Sequence, residues 1–167
     1  MGMLGAALVY VGFVLFMNSL KTLGKLKDSH VNPLNFFTGT LIVAGAIRTV
    51  LLHGEGITPY YYAMPSLMFG FTFLWVGINS IWSLEDDGLG WYCLFVTVVA
   101  VPIAFTTLPD LGMVVLWLMW ASLWFMFFLL LSLHIKIAKI TGYWTLVNAV
   151  VTGTAGYTIL IKAWPWL

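Results

Sequence analysis

From Leu111 to Leu133 the chain runs LGMVVLWLMWASLWFMFFLLLSL without one charged residue. A helix needs roughly 20 apolar residues to cross the hydrocarbon of a bilayer. In lipid every backbone N–H and C=O must be satisfied internally, which leaves helices and closed barrels as the only spanning structures. Five further runs of similar character lie near 3–20, 34–52, 64–83, 89–108 and 143–164, so the pattern predicts six transmembrane helices. Of the 167 residues, 62% are apolar and only 8% charged, too little polar surface to cover a soluble domain of this size. The expectation is an all-α membrane protein, residues 1–167 forming a single six-helix domain in contact with the lipid bilayer. No separate soluble domain or cleavable leader distinct from the first span is expected. No internal repeat is persuasive: TGT at 38–40 recurs at 152–154, but the surroundings do not align.

Positive loop charges are retained on the cytoplasmic side. Lys21, Lys25 and Lys27 follow the first run, and Lys136 and Lys139 follow the fifth. These loops are therefore assigned inside, with both termini outside and short outer loops at about 53–63 and 108–111. Pro33, Pro65 and Pro109 mark helix boundaries in this reading, and Pro102 falls inside the fourth span, where it can kink the helix. Arg48 and Lys162 lie near the outer side of their spans; Arg48 is read as an interfacial anchor or as a partner of Glu55.

Catalysis lacks its parts. No carboxylate lies in mid-span, and no Ser or Cys has a base near it in sequence, so neither acid–base nor nucleophilic chemistry is indicated. His30, His53 and His134 are scattered with no paired ligand spacing, so no metal is expected, nor any cofactor or nucleic acid. Cys93, alone, forms no internal disulfide. The absence of a mid-span ionisable group also counts against ion-coupled transport.

What remains is a set of stripes. At 100° per residue Met113, Trp117, Trp120 and Trp124 share one helix face. Tryptophan usually marks the membrane interface, which suits Trp91, Trp144, Trp164 and Trp166 but not Trp120 and Trp124 in mid-span. Either these rings fill a bundle core or they wall a conduit. Phe69, Thr72, Phe73 and Val76 form a second stripe, and Leu4, Leu8, Val11 and Leu15 a third. Gly5, Gly12 and Ser19, seven apart on another face of the first span, suit close helix contact. Thr145, Asn148 and Thr152 draw a polar line along the sixth span, where Asn148 is either interhelical glue or a neutral contact for a solute. An aromatic slot with a few neutral polar groups would pass a small, planar, uncharged, strongly hydrogen-bonding solute, with urea or a short amide the simplest candidate.

The stretches YVGFVLFMN (10–18), NFFTGTL (35–41), FGFTFLWVGIN (69–79), WYCLF (91–95) and WLMWASLW (117–124) resemble, in order and spacing, the AmiS/UreI family of bacterial urea and short-amide channels. The resemblance implies a homo-hexamer in the bacterial cytoplasmic (inner) membrane, each six-helix protomer holding its own pore and passing urea or short amides down their gradient. It implies pore-lining positions at Leu4, Leu8, Val11, Leu15, Phe69, Thr72, Phe73, Trp117, Trp120, Leu123 and Trp124. Met113 stands where the acid-gated gastric members resemble one another in having a further tryptophan, and Asn148 where they have a glutamate. Both are counted among the expected lining residues. Short outer loops and a neutral Asn148 lead to the expectation of a channel without an acid gate. The rivals are an ion-coupled transporter and a purely structural membrane subunit.

Overall fold

The computed structural model describes residues 2–53 and 57–166. Six helices follow one another: α1 (Gly2–Thr22), α2 (Asp28–His53), α3 (Ile57–Trp82), α4 (Asp87–Thr106), α5 (Leu111–Leu131) and α6 (Ala138–Leu160). The first five are long and apolar enough to cross a membrane. α6, at 23 residues, is long enough but more polar. Its Thr141, Thr145, Asn148 and Thr152 are wholly enclosed, so the polar side chains that lower its apolarity are turned away from the outer wall. That wall is apolar: Phe37, Leu51, Phe95 and Val98 all stand exposed on it.

Two expected boundaries move. Pro33 and Pro65 lie inside α2 and α3 rather than at their ends. A proline early in a helix costs little, because the first-turn N–H groups have no intrahelical acceptor; Pro33 is only one turn further in. Membrane helices also tolerate proline where neighbouring groups take up the freed carbonyl. Pro102 lies within α4, as expected, and Pro109 between α4 and α5. α2 starts six residues earlier than the apolar run, at Asp28, whose carboxylate sits in the positive first turn and pairs with Lys21 Nζ at 2.7 Å. From Ile57 onward the expected outer loop at 53–63 is already helix; residues 54–56, with Glu55, lie outside the described residues.

Each helix touches its neighbours in sequence, and α6 closes on α1. Among the described residues no other pair of helices brings Cα atoms within 8 Å, so the six form a closed ring with side chains, not backbones, meeting in the middle. Three intimate pairings, α1 with α6, α2 with α3 and α4 with α5, alternate with three looser ones. Glycine explains the intimacy, since small residues let backbones approach where lipid supplies no hydrophobic drive. A Cβ on Gly12 would lie 2.6 Å from Gly153 Cα and 2.8 Å from Ala149 O, and one on Gly156 would lie 2.7 Å from Gly5 O. The small-residue face expected on the first span is thus the α1–α6 contact. Gly39 and Gly70 do the same for α2 and α3, each facing the other's carbonyl.

Candidate functional site

The middle of the ring is filled by rings of another kind. Trp117, Trp120 and Trp124 on α5 are buried, and Phe69 of α3 sits against all three. Its centroid lies 5.9 Å from Trp117, 4.8 Å from Trp120 in an edge-on arrangement, and 4.6 Å from Trp124. Aromatic pairs favour such offset and edge-to-face contacts at 4.5–7 Å. The backbones of α3 and α5 stay apart, and these four side chains reach across the space between the two helices. Trp120 is also anchored from behind: its Nε1–H donates to Thr152 Oγ1 at 2.9 Å. The only donor on that indole is spent on α6, which leaves the ring face and edges as its interior surface.

Beside this waist, toward the end of the ring where segments 22–28, 83–86 and 132–137 gather, lies a cavity of about 230 Å³. One water's share of liquid volume is about 30 Å³, so it has room for a small planar solute with a few waters. Phe69, Phe73, Trp120, Leu123, Trp124 and Leu15 all belong to its largely apolar wall. Thr72 lines it as well, its Oγ1–H donating to Met68 O at 2.8 Å. The mouth is polar: Asn18, Lys21, Thr22 and Asp86 surround it. Its two charges are engaged, Lys21 with Asp28 and Asp86 Oδ1 with Asn79 Nδ2 at 2.8 Å.

The expected lining residues therefore divide. Leu15, Phe69, Thr72, Phe73, Trp120, Leu123 and Trp124 come together around the cavity. Leu8, Val11 and Trp117 are buried in the same interior beyond its wall, and Met113 packs against that core half-buried. Asn148 is enclosed one turn from Thr152, its Nδ2 donating to Trp144 O at 2.9 Å and its Oδ1 meeting no donor. Leu4 is not part of this group: it is 42% exposed, one turn before the buried Leu8. Sequence reasoning missed the mouth. Its signal was the α1 stripe itself, which continues past Leu15 at helical spacing to Asn18 and Thr22.

At the far end Asp110 caps α5, Oδ1 accepting from Met113 N at 2.8 Å, while Oδ2 accepts Trp164 Nε1–H at 2.9 Å. Trp164 is thereby tied to a helix cap rather than only to an interface. Arg48 is exposed, with Nη1 3.7 Å from Met3 Sδ; its expected pairing with Glu55 lies outside the described residues. His134 Nε2 is 3.1 Å from Asp87 Oδ1.

A ring of apolar helices around an aromatic waist and a polar-mouthed cavity defines a multi-pass helical membrane protein with a solute-sized interior. The chain belongs to the AmiS/UreI family: the profile described as AmiS/UreI family transporter matches residues 3–162. It is 37% identical over 162 residues to a Mycolicibacterium smegmatis protein named as a transporter of amidate substrates, covering 95% of this chain and 76% of that one. It is 29% identical to the acid-activated urea channel of Helicobacter pylori, over 97% of this chain and all of that one. The crystal structure of the urea channel from that gastric pathogen superposes with a TM-score of 0.88 at 28% identity, covering 96% of this chain and 99% of that one. The same channel in its closed state gives 0.85. Membership in a channel and transporter family for urea and amides places the chain's work in solute passage across a membrane.

Proposed function

We propose that this chain is a passive channel for urea or short-chain amides, with its conducting path running through the middle of the helix ring. The observation that carries this is the waist: four aromatic side chains close a gap between helices whose backbones do not meet, directly beside a solute-sized cavity. Ring faces accept a planar solute without charge selection, and no charged side chain among the described residues stands at that level to hold an ion. In this reading Leu8, Val11, Leu15, Phe69, Thr72, Phe73, Met113, Trp117, Trp120, Leu123 and Trp124 line the path. Asn148 Oδ1 offers an acceptor at the waist, and Leu4 lies outside it. α6 is the sixth span, both termini face outside, and the end bearing Lys21, Lys25, Lys27, Lys136 and Lys139 is cytoplasmic in the bacterial inner membrane. Protomers assemble as a homo-hexamer, each with its own path, through the exposed apolar wall.

Conduction is not acid-gated in this reading. The comparison with the acid-activated relative spans 194 residues but takes in 97% of this 167-residue chain; that relative has segments with no counterpart here. Stopped-flow efflux of urea and acetamide from liposomes tests the function. Fast flux down the gradient, without dependence on Na⁺ or H⁺, is the expected result; uphill accumulation driven by an ion gradient would replace the channel with a coupled transporter. Within the same assay, Trp120→Ala and Trp124→Ala should alter flux or selectivity severalfold while the oligomer stays assembled. Wild-type urea flux in a folded double substitution would remove these rings from the path.

A further inference from the structure

α1 and α2 meet along one of the looser seams, and at its inner end two asparagines face each other. Asn18 Nδ2 donates to Asn35 Oδ1 at 3.0 Å, and Asn35 Nδ2 donates back to Asn18 Oδ1 at 2.8 Å. The second N–H of Asn35 goes to Val31 O at 2.9 Å. A primary amide has two N–H donors and two acceptor lone pairs, so Asn35 has no donor left, and it is wholly enclosed. Asn18 is different. It has spent one donor and one lone pair, and it opens on the cavity.

A pair serving only to join two helices would be expected to be buried on both sides, and two apolar residues would serve nearly as well. Here one amide is wholly enclosed, while the other, itself largely buried, lines the cavity with one donor and one lone pair unspent. The other polar groups at the mouth each have a partner, Lys21 in Asp28, Asp86 in Asn79 and Thr22 in the Asn18 carbonyl. The rest of the wall is apolar apart from hydroxyls such as that of Thr72, which donates within its own helix. A solute leaving the aromatic waist has shed water and meets one neutral group carrying both a donor and an acceptor, held in a fixed orientation. Two of the chain's family-like stretches, YVGFVLFMN and NFFTGTL, end and begin on these two residues.

The geometry points to Asn18 as a specificity-determining residue for solutes bearing a carboxamide group, with Asn35 as the positioning residue that keeps it from turning. The free N–H of Asn18 meets the solute's carbonyl oxygen, and its free lone pair meets the solute's N–H, in turn as the solute passes. This assignment rests on the channel reading above.

The test compares urea with thiourea, which keeps the planar outline but replaces the carbonyl oxygen with sulfur, a weaker acceptor. The paired variant Asn18→Leu with Asn35→Leu leaves no orphaned amide and should still elute as the folded, assembled protein. Its urea flux should fall about five-fold, the worth of one net hydrogen bond, and the urea-to-thiourea permeability ratio should fall with it. Asn35→Asp is isosteric and, protonated in that enclosed site, still able to exchange both bonds. It should stay closer to wild type than Asn35→Leu does. If the paired variant does not fold, Asn18→Ser, which still offers Asn35 a hydroxyl, carries the same expectation. Wild-type urea flux in the folded variant, or a parallel fall for both solutes, overturns the assignment while leaving the channel standing. Wild-type protein passing urea and acetamide no faster than empty liposomes overturns the channel reading, and the assignment with it.

Discussion

The three tight seams and the three loose seams of the ring are made of different chemistry. Along the α1–α6 and α2–α3 seams glycine faces backbone: Gly12 against Gly153, Gly156 against Gly5, Gly39 against Gly70. The α4–α5 seam adds Gly90, where a Cβ would lie 2.9 Å from Ser132 N, and Ser132 Oγ donates to Asp87 O at 2.7 Å. The loose seams are stitched by side chains instead. Asn18 and Asn35 join α1 to α2, Tyr92 Oη–H donates to Met68 O at 3.2 Å between α4 and α3, and Trp120 donates to Thr152 between α5 and α6. In a membrane the lipid tails are as apolar as leucine, so helices associate through close packing or hydrogen bonds. Close packing leaves no interior. Side-chain bonds without glycine set against backbone leave helices further apart, and a closed ring with three such seams keeps room for the aromatic waist and the cavity.

The comparison breaks most severely at a tight seam. Gly12→Ala puts a methyl group against backbone atoms of Gly153 and Ala149 that cannot swing aside, and should destabilise the protein by about 3 kcal/mol, the upper end for overpacking. Gly153→Ala is its matched control: there the new Cβ meets only Gly12 Cα, at 3.7 Å, an ordinary contact. It should change stability by no more than about 0.5 kcal/mol. Thermal unfolding in detergent and recovery of the assembled oligomer measure both. Equal effects from the two substitutions would mean that the seam yields, and that glycine is not what sets its closeness.

A loose seam should give way more gently. Thr152→Val keeps the volume but removes the acceptor for the Trp120 indole, leaving a buried N–H at a cost of about 1–3 kcal/mol. Because the freed indole can turn, urea flux should also change, where a purely structural stitch would alter the melting temperature alone. Trp120→Phe in the Thr152→Val background removes the orphaned donor and should recover part of the lost stability. A double variant no more stable than the single one would show that the bond is not the stitch.

How much of this was legible in the sequence follows from what each feature depends on. The six helices, the buried face of α5 and the glycine face of α1 are periodic within one helix, and helical spacing reveals them. The ends of α2 and α3 are not legible, because proline reads as a helix breaker while neighbouring helices and early-turn positions absorb Pro33 and Pro65. Nor is the amide pair: Asn18 and Asn35 lie 17 residues apart on different helices, and nothing in either helix alone says that they meet. Asn148 was singled out for lying on a polar line, yet the amide that opens on the cavity is Asn18, at the end of an apolar stripe.

The smallest expected effect is that of outer pH, and the seams explain why. All three loose stitches named above join neutral groups: two amides, a phenol to a carbonyl, an indole to a hydroxyl. The tight seams are glycine, carbonyl and hydroxyl. Three carboxylates that engage partners between segments, Asp28 with Lys21, Asp86 with Asn79 and Asp87 with His134, sit at the end assigned to the cytoplasm. At the opposite end, the outer one in the proposed orientation, Asp110 joins the start of α5 to Trp164, and only four residues separate α4 from α5. A histidine switch works by biasing a bistable element between pH 5 and 8, and so short a connection gives protonation little chain to rearrange. Urea permeability should therefore stay nearly constant as the outer pH alone is taken from about 7.5 to about 5, a range chosen to bracket histidine titration, in vesicles of known orientation. A severalfold rise that disappears in His53→Ala would place a gate at the outer end of α2 and make the ring a responsive structure. Constancy outside, with a response when the inner pH is varied, would instead place the proton sensitivity at the opposite end of the ring, where the cavity has its mouth.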